Sequence, residues 1–135
     1  MILRPIIHIE LSAESISFAL KKRRLDFLAY MNIRVHRGHA LPIAIGEKRD
    51  YPDSILLYIY DFDKIAELNL DKTALLKLMF DYGIGKSLEK FWYPPRKPLV
   101  IFHGQEKLFG VLGGEYKKIL ENIAIQAQAW KVEFE

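Results

Sequence analysis

Two six-residue apolar runs, Ile6 to Leu11 and Ser15 to Leu20, flank a polar break at Ser12-Ala13-Glu14. Runs this short, β-branched and aromatic and closed by a turn, fold as paired strands rather than as a helix. A third strand-like run, Leu25 to Val35, follows a cationic break at Lys21-Lys22-Arg23-Arg24, so the chain opens as a three-strand meander. The first turn contains no glycine. Glycines let backbone N–H groups approach an anion without a Cβ in the way, and Glu14 would add a negative charge, so the turn lacks the chemistry of a phosphate cradle.

The pattern then loosens. Ile43-Ala44-Ile45 before Gly46, and Ile55 to Tyr60 after Tyr51-Pro52-Asp53, each predict a short extended piece. From Leu70 the period becomes helical, with Ala74, Leu75, Leu78, Met79 and Tyr82 on one face, Asn69 placed to cap the start and Gly83 to end it. Pro94-Pro95 bars any further helix, and Leu99 to Phe102 reads as a strand buried on both sides. A second long helix is predicted behind Gly113-Gly114 from the stripe Tyr116, Ile119, Leu120, Ile123, Ala124 and Ala127, and Trp130 to Phe134 reads as a last strand. The order β-β-β, helix, β, helix, β implies an α/β fold: one domain over residues 1–135, a mixed sheet of about five strands and two main helices. A meander followed by βα units is the ribonuclease-H-like plan.

With 135 residues and 50% hydrophobic content the chain can bury a sizeable core unaided. It has no cysteine, which excludes disulfides and thiolate metal sites and fits a reducing, cytoplasmic setting. No run approaches the roughly 18 apolar residues of a membrane span. The net charge of +3 is spread along the chain, a weak footprint for nucleic acid. The basic run Lys21, Lys22, Arg23 and Arg24 therefore reads as a solvated hairpin tip rather than a phosphate-binding patch.

In order and spacing the chain resembles the first subdomain of a bacterial actin of the MreB type. Glu10-Leu11-Ser12-Ala13 stands where that family has Asp-Leu-Gly-Thr. Ala44-Ile45-Gly46-Glu47 follows as the counterpart of its Val-Gly run, and Lys64-Ile65-Ala66-Glu67 as that of its Val-Ile-Ala-Asp stretch. Pro95-Arg96-Lys97-Pro98 precedes the buried strand, and Gln126-Ala127-Gln128-Ala129 precedes Val132. The resemblance implies an actin-like fold. It also implies a degenerate phosphate loop, since Ser12 replaces the glycine and Glu10 the metal-linked aspartate, and only one half of a two-part ATP site; the fold is expected without the ATPase and without a cofactor.

Open α/β sheets bind ligands beyond the carboxyl ends of their strands. Here that crevice is expected between Ser12, Ala13 and Glu14 on one side and His103, Gly104 and Gln105 on the other, with Glu10 and His103 as its weak catalytic candidates. A two-metal nuclease would need several converging carboxylates, of which only Glu10 is well placed. His36 and His39 flank a Gly38 loop and read as a solvated basic loop, so no metal site is assigned. Phe91, Trp92 and Tyr93 before the proline pair, together with Phe134, are the candidate interaction residues, equally compatible with a lid on the core. The expected function is a non-catalytic interaction or assembly module, dimeric with itself or bound to another protein. The alternative is a nucleic-acid-associated protein or nuclease of ribonuclease-H-like fold.

Overall fold

A computed structural model describes residues 4–89, 96–104, 106 and 113–135. Its central sheet has five strands in the order β3-β2-β1-β7-β8: β1 (Ile6–Leu11), β2 (Ser15–Leu20), β3 (Arg23–Leu28), β7 (Leu99–His103) and β8 (Lys131–Phe134). β1 and β2 form the expected hairpin, β2 pairs antiparallel with β3, and β1, β7 and β8 run parallel to one another. A second sheet, in the order β5-β4-β6, contains β4 (Tyr30–His36), β5 (His39–Ile45) and β6 (Ile55–Tyr58).

The run Leu25 to Val35 is therefore not one strand. It divides at Ala29, which is fully buried and passes the chain from the central sheet to the small one. The Ala29 N–H donates to the Glu14 carbonyl (2.9 Å), and the Ala29 carbonyl accepts from Ile59 N–H (3.0 Å). Two backbone bonds in opposite directions hold the crossing.

Three helices complete the described structure: α1 (Phe62–Glu67), α2 (Ala74–Leu88) and α3 (Tyr116–Gln126). The short α1, started by the Asp61 carboxylate accepting from Lys64 N–H, was not read from the apolar pattern, although it covers the Lys64 to Glu67 stretch matched to the family's helix-opening segment. α2 differs from expectation at both ends. Asn69 lies before it in a left-handed conformation (φ 60°), the helix starts after Thr73, and Gly83 sits within it rather than ending it. Both of its sides are used, since Leu75, Leu76, Met79, Phe80, Gly83, Ile84 and Ser87 are all buried where α2 meets the central sheet, β5 and α3.

The alternation of β1 and β2 sends Ile7, Ile9, Leu11, Ile16, Phe18 and Leu20 to one face of the sheet, where they are buried with Phe102 of β7. Phe80 of α2 packs on Phe102 with ring centres 5.5 Å apart, and α3 adds Leu120, Ile123 and Ala124. The opposite face of the sheet carries His8, Glu10, Arg24, Asp26, His103 and Glu133, none of them buried.

Candidate functional site

Because β1 and β7 are parallel and in register from Ile6 opposite Leu99 to Glu10 opposite His103, their carboxyl ends lie side by side. The turn after β1 is closed on itself. Ser12 N–H donates to the Ser15 carbonyl (3.0 Å), Ser15 N–H donates to Ser12 Oγ (3.1 Å), and the two hydroxyls stand 3.0 Å apart. The Tyr58 hydroxyl donates to the Ala13 carbonyl. Ala13 and Glu14 face solvent. At the end of β7 the chain turns through Gly104 with φ 74°, so close that a Cβ there would lie 2.5 Å from the Leu11 carbonyl oxygen. Main chain thus meets main chain where a ligand crevice was expected. Gln105 lies outside the described residues.

The ionisable groups gather on the open face of the sheet instead. His8 and His103, diagonal to one another across β1 and β7, meet with Nδ1 of His8 2.8 Å from Nε2 of His103 and ring centres 5.1 Å apart. A hydrogen bond at that distance needs one ring to donate and the other to accept. Nδ1 of His103 lies 3.6 Å from a carboxylate oxygen of Glu135. Glu10 sits opposite His103 in the strand register, yet its carboxylate pairs with the Arg24 guanidinium (3.5 Å). The two catalytic candidates are therefore neighbours with different partners. His8 was missed, although its spacing of two from Glu10 places both on one face.

Arg24 also pairs with Asp26 (2.9 Å), whose carboxylate accepts from the Ser17 hydroxyl (2.5 Å). The Ser17 hydrogen bond, followed by that of Arg24, holds the Asp26 carboxyl below the usual carboxylate range. His8, Glu10, Ser17, Ala19, Arg24 and His103 line a shallow depression of about 410 Å³. Arg24 is paired there, and the basic run is divided by the fold: Lys21 and Lys22 form the exposed turn, and Arg23 and Arg24 belong to β3.

His36 and His39 face each other across the end of the β4–β5 hairpin, whose turn residues Arg37 and Gly38 both have positive φ, as a type I′ turn requires. Among the described residues no three His, Asp or Glu side chains converge as a metal site. Phe134 is half-buried on the helix-covered side, stacked on Phe102 with ring centres 5.5 Å apart and with the Lys117 ammonium over its ring. Phe91, Trp92 and Tyr93 lie outside the described residues.

This arrangement of strands and helices matches MreB5 of Spiroplasma citri, in its ADP-bound and AMPPNP-bound structures, with a TM-score of 0.58 over 98% of the chain. The fold is actin-like. Sequence identity to the two MreB5 structures is only 15% and 16%, and this chain spans 38% of their length. The apo psk41 ParM protein is similar with a TM-score of 0.50, 11% identity, and coverage of 96% of this chain and 48% of that one. No protein-family model and no curated protein matches the sequence. Among the described residues no helix is long and apolar enough to cross a membrane.

Proposed function

We propose that this chain is a non-catalytic assembly module built on the actin-like fold, acting in the cytoplasm through contact with a second copy of itself or with another protein. The observation that carries this reading is the closed turn after β1. The amides of Ser12 and Ser15 are spent within the turn, and the Ala13 carbonyl is taken by Tyr58. A phosphate cradle needs free N–H groups converging on the anion. Isothermal calorimetry of the 135-residue chain with Mg-ATP tests the reading. The expected result is binding weaker than about 1 mM, a free energy of about −4.1 kcal/mol, and no phosphate release. Micromolar affinity with hydrolysis would overturn it.

A second reading, association with nucleic acid, is favoured by the β4–β5 hairpin, where Arg34, His36, Arg37 and His39 are all exposed near the turn. Four such groups on a ribbon would give a phosphate-contacting surface with strong salt dependence.

A further inference from the structure

His8 and His103 are two of the four histidines of the chain, and strand register brings them together. His8 lies two residues before Glu10, whose partner on β7 is His103, so both imidazoles sit on the open face of the sheet. Nδ1 of His8 is 2.8 Å from Nε2 of His103. A hydrogen bond between them uses the proton of one nitrogen and the lone pair of the other. The second nitrogen of His103, Nδ1, faces a carboxylate oxygen of Glu135 at 3.6 Å. That carboxylate favours a proton on Nδ1, which leaves the Nε2 lone pair directed at His8.

Two imidazole nitrogens this close also match ligand positions around a transition metal. At metal–nitrogen bonds of about 2.0 Å, adjacent corners of a square-planar site are about 2.8 Å apart, and corners of a tetrahedron about 3.3 Å. The observed separation suits the square arrangement, which Cu(II) and Ni(II) adopt with nitrogen and oxygen ligands, whereas Zn(II) sites are tetrahedral. We propose that Nδ1 of His8 and Nε2 of His103 form a two-histidine site for a tetragonal divalent cation, Cu(II) above all, with water at the remaining corners.

Binding needs one rearrangement. The His8 proton moves from Nδ1 to Nε2, so that both facing nitrogens offer lone pairs, and the rings turn to bring those lone pairs onto the ion. The surroundings favour a cation: Glu10, Asp26, Glu133 and Glu135 stand on this face against Arg24 and Lys131. Glu135 would hold His103 from behind, as a carboxylate commonly does for a metal-bound imidazole. Water reaches the pair through the shallow depression of about 410 Å³ that both rings line. Among the described residues no third side chain converges on the pair, so the ion is exchangeable rather than structural. The site is independent of the assembly reading.

Titration of the tag-free 135-residue chain with copper(II) sulfate tests it, at about pH 7.5, where an ordinary imidazole is mostly neutral. Electron paramagnetic resonance is expected to show a tetragonal Cu(II) with nitrogen splitting from two imidazoles. His8→Ala and His103→Ala should each weaken binding at least about tenfold, since even an orienting partner of a metal ligand is worth that much. The double variant H36A/H39A, which removes the other two histidines, should bind as wild type does. Circular dichroism checks that each variant is folded. A second readout needs no variant: in NMR spectra of the wild-type chain, substoichiometric Cu(II) should broaden the imidazole signals of His8 and His103 before those of His36 and His39. Absence of binding at micromolar copper, binding that survives loss of His8 or His103, or broadening confined to His36 and His39 would each overturn the inference and leave the assembly reading untouched.

Discussion

A Cβ on Gly83 would stand 2.2 Å from the ring of Phe18, which makes the glycine in the middle of α2 the point where that helix closes on β2. Phe18 is fully buried and edge-on to Phe27, with ring centres 5.8 Å apart, so it has little room to yield.

Gly83→Ala sets two effects against each other. Alanine favours a helix interior by about 1 kcal/mol over glycine, while overpacking a tight core costs about 1 to 3 kcal/mol. With an approach this short the clash wins, and a net loss of about 1 to 2 kcal/mol is expected by urea denaturation. Phe18→Leu removes the ring atoms involved, so the double variant should be more stable than the sum of the single losses requires. A Gly83→Ala protein more stable than wild type would refute this packing account.

Gly104 and Gly38 separate two reasons for glycine. Both have positive φ, 74° and 78°, but a Cβ at Gly104 meets the Leu11 carbonyl at 2.5 Å whereas one at Gly38 meets nothing within 4 Å. Gly38→Ala should cost about 1 to 2 kcal/mol, the left-handed penalty alone. Gly104→Ala should cost clearly more, because backbone cannot swing aside. Equal losses in parallel denaturation curves would contradict the close approach of β7 to β1.

The Asp26 carboxyl is held low first by the Ser17 hydroxyl and then by Arg24, and Asp71 is lowered by the backbone N–H of Thr73 and then by its hydroxyl. A carboxyl lowered on folding adds stability that is complete above its unfolded value, near pH 4, and is lost as pH falls through the folded one. Ser17→Ala and Asp71→Asn should therefore each flatten the acid limb of stability below about pH 5. Asp26 is exposed, so solvent screening keeps its share small. Urea midpoints measured from about pH 6 down to pH 2, across the carboxylate range, check this; acid limbs identical to wild type would rule it out.

The nucleic-acid reading makes its own prediction. Binding of duplex DNA through the β4–β5 hairpin should fall with salt at a log–log slope of roughly −0.9 per phosphate neutralised, and Arg37→Ala should reduce that slope by about one contact's worth. Fluorescence anisotropy with labelled duplex decides it. No binding at low salt removes this alternative.

Much of the framework was legible because it rests on local pattern. β1 and β2 have the limits their short apolar runs and the polar turn imply, and β7 follows from four consecutive apolar residues. The break at Ala29 was not legible, since Leu25, Phe27, Ala29, Met31, Ile33 and Val35 alternate without interruption. Backbone bonds from Leu28, Ala29 and Tyr30 to Gly46, Glu14 and Ile59, all distant in sequence, divide that run between two sheets. Gly83 resembled a helix stop because a missing side chain serves a turn and a tight packing equally well. At the site, Glu10 and His103 were found as neighbours, but the partners that engage them, Arg24 and His8, follow from strand register, which single runs do not encode.

Ala29 also couples the two sheets in their opening. Its amide belongs to the turn between β1 and β2, and its carbonyl belongs to the chain leaving β6. Neither sheet can fray at this point without breaking a buried hydrogen bond of the other, so local melting of the small sheet draws the hairpin of the large one with it. In hydrogen exchange the amides of Ala29 and Ile59 should report a single cooperative unit, with protection that rises and falls together.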